Sequence, residues 1–258
     1  MKKEEKLKRL LVFNRNMGIA HLVQGIFMLF AALTFTKIAE YKPTIVSHFL
    51  TYDHTLGKLV NIQKDVFTLP FGILVASFLL LSAIFHFVVS SKKYQNKYLA
   101  GLKNNINRFR WYEYALSSSI MIVLIAVLFG VYDISTLILI FGLNAMMNLF
   151  GLLMEKENDL SNKVDWQAFI FGSIAGFLPW IIIVMHAFGN SVTAPWFVYA
   201  IFASYLVFFN CFAINMILQY KKVGKWQDYL YGERAYIILS LVAKTILAWL
   251  VLFGVMQP

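Results

Sequence analysis

Cysteine is almost missing from this chain. Cys211 is the single thiol in 258 residues, so no intrachain disulfide can form and redox chemistry assigns no compartment. Charge is scarce as well. Only 14% of residues are Asp, Glu, Lys or Arg, against 60% that are hydrophobic. That is too little polar surface for a water-soluble fold, and the bilayer is the solvent that fits such a composition. The basic start runs into an apolar stretch too long for a signal-peptide core and without a small-residue cleavage pattern, so it reads as a retained anchor. No stretch has the composition of a soluble catalytic domain, and neither an enzymatic activity nor a metal site is expected.

What is present is a set of seven apolar runs, each of about 20 residues and so long enough to cross a hydrocarbon layer of roughly 30 Å as a helix. They lie near 11–36, 67–91, 108–131, 134–154, 166–188, 196–220 and 235–255. The expected fold class is all-α, a seven-transmembrane-helix bundle forming one domain over 1–258. Residues 37–66 make an outer loop too long for a turn. Its β-branched and aromatic stretches at 44–52 and 58–63 flank turn chemistry at 53–57, which predicts a two-stranded β-hairpin.

Lysine and arginine alternate between the two ends of these runs. Eighteen fall on one side, including Lys2, Lys3, Lys6, Lys8, Arg9 and Arg15, and the other side has four, all within 37–66. The positive-inside rule then places the N-terminus in the cytoplasm and the C-terminus outside, with the cell membrane the expected location. The same alternation accounts for the net charge of +10 without nucleic acid. Mixed Lys and Tyr over 92–107 suit a headgroup layer and anionic lipid. Gly172 and Gly176 form a small-xxx-small pair, which serves close helix packing either within one chain or between two.

One of the 23 basic residues remains outside that pattern, and it is Lys244. It lies nine residues beyond Ala235, ~14 Å into the seventh run, whereas a lysine stem reaches roughly 6 Å. Unpaired there, its ammonium costs several kcal/mol, and charges at such depth are mostly kept for function. A pairing that serves packing alone stays open. Of the acids, Glu113 is read as the one away from loops and helix ends, ~8–11 Å into the third run from the same side. Ser117 follows Glu113 by one turn and Ser240 precedes Lys244 by one turn. Ser82 and His86 repeat that spacing in the second run, and His21 is central in the first. Each serine can equally bond its own backbone; the histidines are either packed or line a polar cavity that stores a proton. Tyr114, Asn144, Met147, Pro179, Trp180, Phe209 and Asn210 fall in runs three to six. They are ordinary bundle filling, or, beside a buried lysine, the walls of an apolar slot.

The segments RFRWYEYALSSS (108–119), LSAIFHF (81–87), IFGLNAMMNLFG (140–151) and GERAYIILSLVAKTILAW (232–249) resemble heliorhodopsin sequences. The resemblance extends over all seven runs and the long outer loop. It implies a light-sensing protein with all-trans retinal attached to Lys244 as a protonated Schiff base and Glu113 as its counterion. Ser117 and Ser240 then resemble hydrogen-bonding residues near the Schiff base, and Ser82, His86 and His21 match the polar cavity. Met147 and Phe209 correspond to the chromophore pocket, together with Tyr114, Asn144, Pro179 and Asn210. The family also implies a cytoplasmic N-terminus, a homodimer, an outer hairpin and slow photocycle signalling without pumping, to a cytoplasmic or membrane partner. Pumping rhodopsins share the Arg110-to-Glu113 spacing but have an aspartate where this chain has Ser240. A light-gated proton or ion conductor remains the alternative.

Overall fold

The computed structural model describes residues 3–158, 163–189 and 195–256; Lys2, counted above among the N-terminal charges, lies outside them. The chain opens with α1 (Lys3–Thr34) and a short α2 (Thr36–Glu40), then the antiparallel strands β1 (Thr44–Asp53) and β2 (Lys58–Thr68). There follow α3 (Phe71–Ser90), α4 (Gln95–Lys103), α5 (Arg108–Leu128), α6 (Ile134–Glu157), α7 (Gln167–Phe188), α8 (Trp196–Tyr220), a 3-10 turn at Gly224–Gln227, and α9 (Tyr229–Met256). Among the described residues seven helices, α1, α3 and α5 to α9, are long and apolar enough to span a bilayer. The chain is an integral membrane protein with the expected seven helices and hairpin.

Several boundaries differ from the sequence expectation, each for a physical reason. α1 starts at Lys3 rather than near 11, α6 runs to Glu157 rather than 154, and α9 starts at Tyr229 rather than 235. Hydropathy windows stop at the first charges, whereas backbone hydrogen bonding continues wherever polar side chains find partners. The second span starts at Phe71, not 67, because β2 extends to Thr68 and Pro70 stands at the helix entrance. α5 ends at Leu128, not 131. Gly130 takes φ +85° there, and the Val131 and Gly130 amides close back onto Ala126 and Val127, a left-handed glycine stop. Residues 37–66 are therefore structured throughout much of their length, and 92–107 contains α4, whose Tyr98 and Leu102 are buried.

Packing places α5 at the centre, between α3 and α6, with α7 beyond α6, α8 against α9, and α1 against α3 and α9. Phe78, Leu79, Ile122, Ile125, Ile140, Ile183, Tyr205 and Leu247 form the apolar core of the half nearer the hairpin. Residues facing the other way, such as Val23, Phe177 and Phe253, are exposed, as lipid-facing positions of a membrane bundle are. The hairpin is tied down at its base, where the Val46 amide donates to the Tyr132 carbonyl over 2.9 Å and His48 faces Asp133. Asp133 caps α6 by accepting from the Thr136 amide over 2.9 Å. That hydrogen bond holds the Asp133 carboxyl below its usual range, so the cap is charged at neutral pH.

Gly172 and Gly176 are occupied within the chain. A methyl added at either would meet Phe150 or Met147 of α6, so this pair lets α6 and α7 approach each other. The same device recurs at Gly151, where the Trp111 ring fills the space a side chain would take. We predict that Gly151→Ala lowers stability by about 1–3 kcal/mol through overpacking. Gly142→Ala, which has nothing within 4 Å of the new methyl, should cost nothing. Thermal unfolding of the two variants in detergent checks both.

Candidate functional site

α9 and α5 bring Lys244 and Glu113 together, and both are buried at 3% and 6% exposure. Lys244 Nζ donates to Glu113 Oε1 over 2.8 Å and to Ser240 Oγ over 2.8 Å. Ser82 Oγ on α3 donates to the same Glu113 oxygen over 2.6 Å. Ser117 is fully buried one turn beyond Glu113 on the same helix. Among the described residues its hydroxyl has no hydrogen-bond partner. Tyr114 presents its ring to Lys244 Nζ at 5.3 Å and donates its hydroxyl to the Tyr236 carbonyl over 2.9 Å. Each charge in the pair offsets the desolvation of the other, and removing one would leave the second buried and unpaired.

Two cavities meet at this pair. The smaller, about 40 Å³, is lined on its polar side by Asn14, Ser82, His86, Glu113, Glu233 and Ser240, and that volume suffices for water. His86 Nδ1 lies 2.8 Å from Asn14 Oδ1. Asn14 Nδ2 donates to the Leu10 carbonyl and to Tyr98 Oη, which fixes its amide orientation and makes His86 Nδ1 the protonated nitrogen. Burial pushes the Tyr98 phenol well above its ordinary value, so it stays neutral. His21 stacks on His86 with centroids 5.4 Å apart but does not line this cavity. Both its ring nitrogens lack partners among the described residues.

The larger cavity, about 280 Å³, has Lys244, Ser240 and Ala243 on one wall and is otherwise bounded mostly by aromatic and apolar side chains. Tyr114, Met147, Trp180, Phe209 and Asn210 line it as expected. It reaches the lipid-facing surface at Phe177, Leu206 and Asn210, all exposed. Asn144 and Pro179 do not line it. Asn144 is turned into the α5–α6 contact, donating to Ser118 Oγ over 2.7 Å and Ser119 Oγ over 3.0 Å, and Pro179 is buried beside the lining Trp180. Ser118 and Asn148 take the polar positions on that wall instead. An elongated apolar molecule with one amine-reactive end suits this donor set, and the volume is near the lower end of the roughly 300–1,000 Å³ of ligand pockets.

Sequence reasoning missed a second charged centre. Arg110, one of the eighteen basic residues counted on the cytoplasmic side, is buried and pairs with both Glu155 and Glu233, two acids read as lying in loops or near helix ends. Arg110 stands at the start of α5, where side chains lean back toward the helix N-terminus, so it turns away from Glu113. Its guanidinium also covers the Tyr236 ring at 4.0 Å and the Trp111 ring at 4.7 Å. Glu155 lies in the last turn of α6 and Glu233 in the second turn of α9. Carrying the helical pattern one turn past each apolar run would have placed both on inward faces.

A family model described as Heliorhodopsin matches residues 10–256. No curated protein matches the chain significantly.

The buried triad gives a stability prediction. Arg110→Met leaves Glu155 and Glu233 without their cation and should destabilise the protein by about 3–5 kcal/mol. Adding Glu155→Gln and Glu233→Gln to the same chain should restore much of that loss, because no charge then remains to be compensated. Thermal unfolding of the single and triple variants decides it.

Proposed function

The chain belongs to the heliorhodopsin family, whose members are retinal-binding photoreceptors of the rhodopsin type, and from that premise we propose that it is a light sensor. In this reading Lys244 carries all-trans retinal as a protonated Schiff base, Glu113 is the counterion, and a slow photocycle signals without pumping ions. The observation that carries it is the 2.8 Å contact between Lys244 Nζ and Glu113 Oε1 at the edge of an apolar cavity. Bound retinal supplies visible absorption and a light-driven change of shape.

The chain's own residues do the rest. Glu113 balances the positive charge on Lys244 Nζ, and Ser82 holds Glu113 Oε1 in place by hydrogen bonding. The free Lys244 ammonium donates to both Glu113 Oε1 and Ser240 Oγ; with retinal attached, Nζ would keep a single N–H, which the charge on Glu113 would draw, with Ser240 a neutral acceptor beside the pair. Trp180, Phe209, Met147 and Tyr114 exclude water on the ligand side, while Glu113 faces the small polar cavity on the other. Glu113 Oε is thus the nearest group to hold the proton when it leaves Nζ, with His86 next across the cavity. The basic loops support a cytoplasmic N-terminus, and from there the signal passes to a cytoplasmic or membrane partner. A homodimer in the cell membrane, each copy a single domain, belongs to the same reading; the mass of the detergent-solubilised complex tests it.

Light-gated proton or ion conduction is the second reading. It gains from Glu233, which faces the same small cavity as Glu113 and supplies the further buried carboxylate that the sequence reading lacked. Illuminated current across a membrane separates the two readings, and none is expected. Protein expressed with all-trans retinal should have a visible absorption band that Lys244→Ala abolishes. Glu113→Gln should move that band to the red or deprotonate the linkage at neutral pH. A band unchanged in either variant contradicts the assignments.

A further inference from the structure

Glu155 and Glu233 pose a charge problem that Arg110 does not solve alone. All three are buried, and two carboxylates face one guanidinium, so in their ordinary ionised forms they carry one net negative charge. The Lys244–Glu113 pair is neutral in itself and lends no compensation. Tyr98, Tyr114, Tyr229 and Tyr236 also act on Glu233 from α4, α5 and its own helix, but phenols carry no positive charge. His86 shares the small cavity with Glu233 and makes its Nδ1 contact with Asn14 rather than with either acid. A metal cation is not the answer, because the guanidinium already bridges the two carboxylates. Two carboxylates at one buried site are relieved when one of them keeps its proton.

The hydrogen bonds say which one. Glu155 gathers four donors: Arg110 Nη2, Trp111 Nε1 at 2.7 Å, the Asn107 backbone amide at 2.9 Å and Tyr229 Oη at 3.1 Å. Glu233 takes two, Arg110 Nη1 and Asn107 Nδ2 at 2.6 Å. Donors favour the charged form, so Glu155 is the better-held anion. Glu233 also lines the small cavity that Glu113 faces, and Glu155 does not. A proton on Glu233 therefore has room to meet a water there.

We propose that Glu233 carries a proton in the resting protein and forms a second proton site, linked to Glu113 through the small cavity. The two carboxyls titrate as coupled groups, since a negative charge on one favours protonation of the other. When Glu113 becomes neutral, the O–H bond of Glu233 weakens and its hydrogen bonding changes. Only this last step rests on the light-sensing function proposed above; the resting proton stands on the cluster itself.

Infrared spectroscopy of the full chain in lipid tests it, with and without all-trans retinal, in the dark and under light. The dark protein should have a protonated carboxylic acid C=O band in both preparations, lost in Glu233→Gln and lost also in Glu155→Gln, where Arg110 is left with Glu233 alone and holds it ionised. Asn107→Ser, which retains a helix cap but removes the amide donor to Glu233, should shift the band and serves if Glu233→Gln does not fold. Under light the band should move in the retinal-loaded protein. Absence of the band in the native chain, its survival in Glu233→Gln, or a band that Asn107→Ser leaves unshifted overturns the proton site. A band that stays still in coloured, illuminated protein overturns the link to Glu113. Protein that takes up no colour while the dark band is present contradicts the retinal reading and not the proton site.

Discussion

A charge inside a lipid-embedded bundle persists only with a partner, and the Lys244–Glu113 pair is the constraint around which this interior is arranged. Neither group can reach bulk water along its own side chain, so each is held by the other and by Ser82 and Ser240. The pair also forms a wall. Lys244 faces a large apolar cavity and Glu113 a small polar one, while Tyr114 and Ser240 border both. Under the proposed function, an apolar ligand on the amine and exchangeable protons on the carboxylate would be kept in separate compartments. Such a separation would let a change of ligand shape act on a charge without admitting bulk water.

α5 supplies most of this arrangement because it is the most enclosed span. Within two turns it presents Arg110 to the acids of α6 and α9, Trp111 to Gly151 and Glu155, Glu113 to Lys244, and Ser118 to Asn144 and Asn148. Arg110 and Glu113 have the Arg-x-x-acid spacing of pumping rhodopsins, but here the two side chains pair with different partners. Arg110 is consumed by Glu155 and Glu233, and the position that would hold a second acid beside the lysine is Ser240, an acceptor without charge.

Much of this was legible in the sequence. Seven runs of sufficient length dictated the spans, since a bilayer leaves the backbone few alternatives to a helix. The hairpin followed from turn residues between β-branched stretches, although β2 extends five residues past the expected 63 because pairing with β1 continues to Thr44. Lys244 and Glu113 were legible because a deep charge has few explanations. Glu155 and Glu233 were not, since both lie within a turn or two of a helix end, where sequence alone cannot tell an inward side chain from a solvated one. Asn144 and Pro179, expected at the pocket, do not line the large cavity, for a related reason. Residue type placed them in the right helices, but the side chain of Asn144 is committed to Ser118 and Ser119, and that direction is set by packing between helices.

The central claim is that Lys244, and no other lysine, is the attachment point for the ligand of the large cavity. Reduction of the retinal-loaded protein with borohydride, followed by proteolysis and mass mapping, tests it most directly. The account predicts one retinyl adduct per chain, on the peptide that contains Lys244. An adduct on any other lysine, or a coloured protein that yields none, would contradict it.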